Sequence, residues 1–143
     1  MKDLIYSTAY WDVILSHDQA YFGRLVIVCK ADREMLGDIG ADEQHDLFAL
    51  FKKLEAFFKK EFNATMFNYS CLMNNAYRDG ERARVHWHFR PRYKETITVL
   101  GEQFSDPNFG YHYAGEAFGL RDAVSEDIRS HIKEKLAANL ALS

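Results

Sequence analysis

The run Arg84-Val85-His86-Trp87-His88-Phe89-Arg90-Pro91-Arg92-Tyr93 constrains this chain more than any other. Arg84, His86, His88 and Arg90 occupy every second position, and Val85, Trp87 and Phe89 alternate with them. Successive side chains of an extended strand point to opposite faces. One face therefore carries imidazoles and guanidiniums, and the other a wall of large apolar groups. Such a strand sets its back on a core and turns its front toward something anionic. Pro91, which cannot donate to a ladder, is expected to end it.

The rest of the chain can supply that core. Its 143 residues fit one domain, 1–143, and 48% hydrophobic with 27% charged residues is the balance of a globular protein. A net charge of −3 argues against a protein that grips nucleic acid through bulk charge, so an anion site must be local. Cys29 and Cys71 each sit in an apolar run and read as buried thiols rather than a disulfide. The first residues turn polar without the apolar stretch of a signal peptide, and no apolar run approaches the ~18 residues of a membrane helix. A cytoplasmic protein is the expectation, with no nucleic-acid or membrane partner.

Leu25–Cys29 is a β-branched run after Gly23 and reads as a buried strand. Leu36–Gly40 reads as a turn. Leu47, Leu50, Phe51, Leu54, Phe57, Phe58 and Phe62 recur at helical spacing opposite Lys52, Lys53, Glu55, Lys59 and Lys60, an amphipathic helix of about five turns. Residues 65–72 alternate as a second strand, and Asn74 to Gly80 reads as a polar loop. Thr96–Leu100 suggests another strand, Phe104–Gly119 an irregular segment, and Asp122–Leu140 a second amphipathic helix through Val124, Ile128, Ile132, Leu136 and Leu140. The order predicts an α+β fold with two helices on one face of a largely antiparallel sheet.

The chemistry concentrates on His86 and His88, roughly 7 Å apart by strand rise. A neutral imidazole is a good nucleophile and a protonated one a good acid, so the pair suits attack at phosphorus. Developing charge would meet Arg84, Arg90 or His88. Other readings of the same residues are a solvated strand face, edge-strand charges that oppose aggregation, or half of a zinc site. The last needs further ligands, and His17, His45, His112 and His131 carry no ligand spacing.

The segment resembles the motif of the histidine triad (HIT) superfamily, His-φ-His-φ-His-φ-φ, often followed by Pro-Arg. His86-Trp87-His88 and Pro91-Arg92-Tyr93 are similar to its diadenosine-polyphosphate-hydrolase-like branch. So are Asp18–Arg24 before Leu25–Val28, and Phe67–Tyr69 with Asn74-Asn75; the resemblance covers about residues 11–94. It implies a HIT-like fold and a nucleotidyl hydrolase or transferase that cleaves phosphoric anhydride or phosphoramidate bonds. His86 would be the nucleophile and His88 the group that contacts phosphate and assists departure. Asn74 or Asn75 would contact phosphate, and residues near Ser16 and Asp18 the ribose. Arg84, Arg90 and Arg92 would hold charge nearby, with Arg92 read as lying off the histidine face. The resemblance also implies a homodimer, a nucleotide or dinucleoside polyphosphate as substrate, and no metal in the chemical step, although magnesium can arrive with a polyphosphate.

Two positions depart from the family pattern. Arg84 replaces the first histidine and cannot relay a proton. The loop Asp79–Ala83 lacks the Ser or Thr that commonly contacts phosphate, and Glu81 would oppose one. These departures leave open a catalytically weakened nucleotide-binding module on the same fold. A metal-dependent hydrolase built on His86 and His88 is the other alternative.

Overall fold

The computed structural model of the chain describes residues 2–112 and 123–142. Its centre is an antiparallel five-stranded sheet: β1 (Leu4–Ser7), β2 (Trp11–Leu15), β3 (Leu25–Cys29), β4 (Met66–Ser70) and β5 (His86–Arg92), in the order β1-β2-β3-β5-β4. The β1–β2 hairpin lies ahead of every strand read from the sequence, although Trp11, Val13 and Leu15 alternate with Asp12 and Ile14 as a half-buried strand should.

Alternation decides which face is which. Trp11, Val13, Leu15, Leu25, Ile27, Cys29 and Phe89 point into one core. Helix α1 (Ala41–Phe62) covers that face with the apolar stripe expected of it, here starting six residues earlier than Leu47. Phe51 meets Tyr69 and Trp87 at ring-centroid distances of 4.5 and 5.9 Å, and Phe58 meets Phe89 at 5.6 Å. The core reading of Trp87 and Phe89 therefore holds. Helix α3 (Glu126–Ala141) begins where the Ser125 hydroxyl accepts the Ile128 N–H, and buries Ile128, Ile132, Leu136 and Leu140 in the same core.

Three local expectations change. Residues Asn74–Asp79 form a short helix, α2, rather than a loop. A small hairpin pairs β6 (Ile97–Val99) with β7 (Glu102–Phe104), so the strand read at 96–100 is followed by a second one. Leu100 and Gly101 turn between them at φ 49° and 79°. Finally, β5 runs through Pro91 to Arg92. The carbonyls of Val85 and Arg92 show why: Val85 O faces β3, accepting from Cys29 N, while Arg92 O faces β4, accepting from Thr65 N. Pro91 shares the parity of Val85, so its missing N–H points past the start of β3 at Leu25, where no ladder partner is left unserved.

Arg92 shares the parity of His86, His88 and Arg90, so the expectation that it lies off their face was wrong. It is nevertheless unavailable to a ligand. Its side chain is 0% exposed and ion-paired with Asp106 at 2.5 Å. It also donates to Asn68 Oδ1 (2.7 Å) and to the carbonyls of Asn108 (2.7 Å) and Tyr111 (3.1 Å), and lies over the Tyr21 ring. One guanidinium thus folds the described part of the irregular segment, 105–112, down onto the sheet. Phe104 is buried there, Phe109 half-buried and Tyr111 exposed, while Tyr113 to Gly119 lie outside the described residues.

The turn before β3 is equally constrained. Gln19, 1% exposed, donates to the carbonyls of Ser16 and Arg24 and accepts the Gly23 N–H. Gly23 has φ 86°, and a Cβ there would stand 2.5 Å from Phe58 Cε1. Gly23→Ala combines backbone strain with a core clash and should cost about 2 kcal/mol or more by urea denaturation; a change under about 0.5 kcal/mol would show that the turn can relax. Arg92→Met leaves the Asp106 carboxylate buried without its partner and should cost about 3–5 kcal/mol. Asp106→Asn, which keeps the shape, should lose less, and equal stability of both variants with the wild type would refute the pinning role.

Candidate active site

The face of the sheet opposite the helices carries the histidines. His86 pairs across with Val28, and His88 with Val26 on one side and Ser70 on the other. The two imidazoles meet edge to face, with ring centroids 5.2 Å apart.

Their hydrogen bonds fix opposite tautomers. His86 Nδ1 lies 2.8 Å from the Arg84 carbonyl, which can only accept. Nδ1 therefore carries the proton, and in the neutral ring Nε2 has the lone pair. His88 Nδ1 lies 3.1 Å from Arg24 Nη2, and a guanidinium can only donate. His88 Nδ1 is thus the acceptor and Nε2 carries the hydrogen. Burial, then the charges of Arg24, Arg90 and His86, push the His88 pKa down to about 4. At neutral pH His88 is an uncharged N–H donor.

Arg24 was not among the residues singled out from the sequence. It shares the parity of Val26 and Val28, which was the available signal. Its side chain is only 15% exposed and is braced by Asp18, whose Oδ2 accepts from Nη1 at 3.0 Å. Asp18 Oδ1 accepts the Ala20 N–H at 2.9 Å. Both Asp18 oxygens therefore take a hydrogen bond within the chain, while the carboxylate stays half-exposed beside Arg24. Ser16 is buried, its N–H on Arg24 O and its carbonyl held by Gln19 and Arg129.

The other predicted residues separate. Arg84 does not line the site: its Nε and Nη2 donate to the carbonyls of Cys29 (3.0 Å) and Lys30 (2.8 Å), so the guanidinium caps the end of β3. Only its backbone carbonyl serves His86. Arg90 is 7% exposed, donates to Ser70 Oγ at 3.3 Å, and contributes charge beside His88. Asn74 and Asn75 are exposed on α2, with no hydrogen bond to either histidine among the described residues. Glu81 is exposed, in a loop tied down by Arg82 to Asp32 and Glu34. Ser70, paired with His88 on this face, was overlooked because a single serine at a strand end carries no pattern. Both cysteines are free; Cys29 is buried, as expected, whereas Cys71 is only half-buried beside the His86 backbone.

Among the described residues no three His, Cys, Asp or Glu side chains cluster so as to hold a metal ion. Among the same residues no helix is long and apolar enough to cross a membrane.

No family model matches the chain, and no curated protein matches it. Solved structures do. A histidine triad protein from Sinorhizobium meliloti 1021 superposes with a TM-score of 0.71 at 20% identity, covering 96% of this chain and 90% of the other. A hypothetical histidine triad nucleotide-binding protein from Sulfolobus tokodaii strain7 gives 0.70 at 13% identity, covering 98% and 84%. A diadenosine triphosphate hydrolase from Plasmodium falciparum gives 0.59 at 14% identity, covering 99% and 76%. At such identities the likeness is one of architecture, and the chain adopts the α+β fold of histidine triad proteins.

Proposed function

We propose that this protein is a nucleotidyl hydrolase or transferase that works through a covalent nucleotidyl intermediate on His86. The observation that carries the reading is the Nδ1–Arg84 carbonyl bond, which leaves Nε2 of His86 as the nucleophilic nitrogen beside a neutral N–H donor, His88. His86 Nε2 attacks the α-phosphorus of a nucleotide conjugate, and His88 Nε2–H and the charges of Arg24 and Arg90 meet the phosphoryl oxygens. The resulting imidazolium is stabilised through the Arg84 carbonyl until water releases the nucleotide. This chemistry routes no step through a metal, and magnesium enters only with a polyphosphate substrate. Exposed Asn74 and Asn75, half-exposed Asp18 and buried Ser16 remain candidate nucleotide contacts. The free thiols suit a reducing, cytoplasmic setting.

A second reading, a nucleotide-binding module with little turnover, is favoured by one observation: the Arg84 guanidinium is turned to two backbone carbonyls and does not take the place of the first histidine of the motif. The two readings part on the covalent step. Radiolabelled nucleotide should be trapped on acid-quenched wild type and not on His86→Asn, and His86→Ala should lose about 10³-fold in turnover. Tight nucleotide binding without adduct or turnover would establish the second reading.

The site also borders a dimer surface in this proposal. Among the described residues nothing pairs with the outer edge of β4. Next to it a cavity of about 370 Å³ is lined by Phe48, Phe51, Lys52, Glu55, Tyr69 and Trp87, with Phe48 69% exposed. A second copy would cover both edge and groove. Sedimentation should give twice the chain mass, and Phe48→Glu should weaken association about tenfold or more; a monomer at high micromolar concentration would remove the dimer.

A further inference from the structure

Arg24 does more than add charge. Its Nη2 occupies the one nitrogen of His88 through which a proton would have to enter or leave the ring from behind the site. An imidazole acts as a general acid in its doubly protonated form, or by passing on a proton received at its other nitrogen. His88 is closed to both routes. Protonating Nδ1 would set N–H against the N–H of a guanidinium held at 3.1 Å, and that guanidinium is locked in place by Asp18 at 3.0 Å. Arginine itself does not release a proton at ordinary pH. Arg84, at the first motif position, is equally unable to relay one, and its side chain points to β3 carbonyls.

We infer that Arg24 is a positioning residue that keeps His88 a neutral Nε2–H donor, and thereby restricts the reaction to conjugates whose leaving group departs without a proton. This rests on the nucleotidyl-transfer function proposed above and names its substrate class: phosphoanhydrides, whose leaving group is a phosphate or polyphosphate oxygen, over phosphoramidates and alkyl esters.

The electron count supports the distinction. His86 Nε2 gives its lone pair to phosphorus, the bond from phosphorus to the bridging oxygen breaks, and the pair leaves on an oxygen already stabilised as a phosphate anion. No proton is required. An amine or alkoxide leaving group must be protonated as the bond breaks, and His88 held by Arg24 supplies no proton. In the second step water attacks phosphorus, the P–N bond breaks, its electron pair returns to Nε2, and the proton of water passes to solvent. His88 donates a hydrogen bond to a phosphoryl oxygen in both steps and changes protonation in neither.

Among the described residues, the charged and titratable groups that face His88 are Arg24 from the segment before β3, backed by Asp18, and His86 and Arg90 from its own strand; β4 contributes the neutral Ser70. Replacing Arg24 therefore removes one of the two arginine charges and the only donor to Nδ1 among the described residues.

The test is a set of adenosine 5′-phosphoryl conjugates sharing one nucleotide: diadenosine tetraphosphate, the phosphoramidate, and aryl esters of graded leaving-group acidity. For wild type, kcat/KM should fall steeply with leaving-group pKa, and the anhydride should exceed the phosphoramidate by about 10²-fold or more, the usual worth of a general acid. Arg24→His, which introduces a group able to carry a proton, should narrow that ratio by about tenfold. Nitrogen NMR of the wild-type imidazoles needs no substrate: His88 should show hydrogen on Nε2 and titrate near pH 4, and in Arg24→Met the titration should move upward. Comparable rates for anhydride and phosphoramidate, or hydrogen on Nδ1 of His88, would overturn the inference and leave the proposed function standing. No hydrolysis of any conjugate, the most activated aryl esters included, would remove the function and the inference together.

Discussion

Everything on the histidine face depends on the register of β5 between β3 and β4. His88 lies opposite Val26 and Ser70, and Phe89 opposite Leu25 and Tyr69. A slip of one residue would carry His86, His88, Arg90 and Arg92 into the core and expose Trp87 and Phe89. Phe89, fully buried among Phe58, Phe67 and Tyr69, opposes that slip from the helix side. Arg92 opposes it from the other face, through its bonds to Asp106, Asn68, Asn108 and Tyr111. The apolar and polar halves of the alternation thus hold one register, and the geometry of the histidine pair comes with it.

The same alternation does not make its five cationic or basic members equivalent. Exposure falls along the strand, from exposed Arg84, through half-buried His86 and His88, to buried Arg90 and Arg92. The gradient follows from what lies over the strand. At one end Arg84 precedes the ladder and turns back to the β3 carbonyls; at the other, residues 105–112 close over Arg92. The site is the stretch in between, where the face is neither capped nor open. Periodicity identifies a face, but coverage comes from segments distant in sequence, and coverage decides which residues can meet a ligand.

That division explains what the sequence disclosed. The stripe of α1, the β-branched run of β3 and the alternation of β5 are local patterns with a strong apolar half, and each forms where expected. The β1–β2 hairpin escaped because its strands are only four and five residues long, although β2 alternates as a half-buried strand should. Pro91 misled because a proline breaks a ladder only where its N–H would have had a partner, and β3 has already ended there. Asp18 and Arg24 were legible only as parts of a resemblance. Their pairing, and the reach of Arg24 to His88 across 64 positions, arise from the turn that Gln19 and Gly23 fold, and no spacing rule encodes it.

The two histidines look alike in sequence and are made chemically opposite by their neighbours. A carbonyl two residues back requires a proton on Nδ1 of His86, while a guanidinium from the segment before β3 forbids one on Nδ1 of His88. The first arrangement is local to β5 and would survive most changes elsewhere. The second depends on Asp18, Gln19, Gly23 and Phe58 holding one turn in place. The free lone pair on His86 Nε2 is therefore written into the strand itself. Control of the neighbouring histidine belongs to a tertiary contact, and so can diverge between chains that share the motif. Arg24 places a permanent cation against His88 Nδ1, where a proton carrier could have stood, while the Arg84 guanidinium turns away to the Cys29 and Lys30 carbonyls. What this site keeps is charge and hydrogen-bond donors, which under the proposed function would stabilise a phosphoryl transition state without moving a proton.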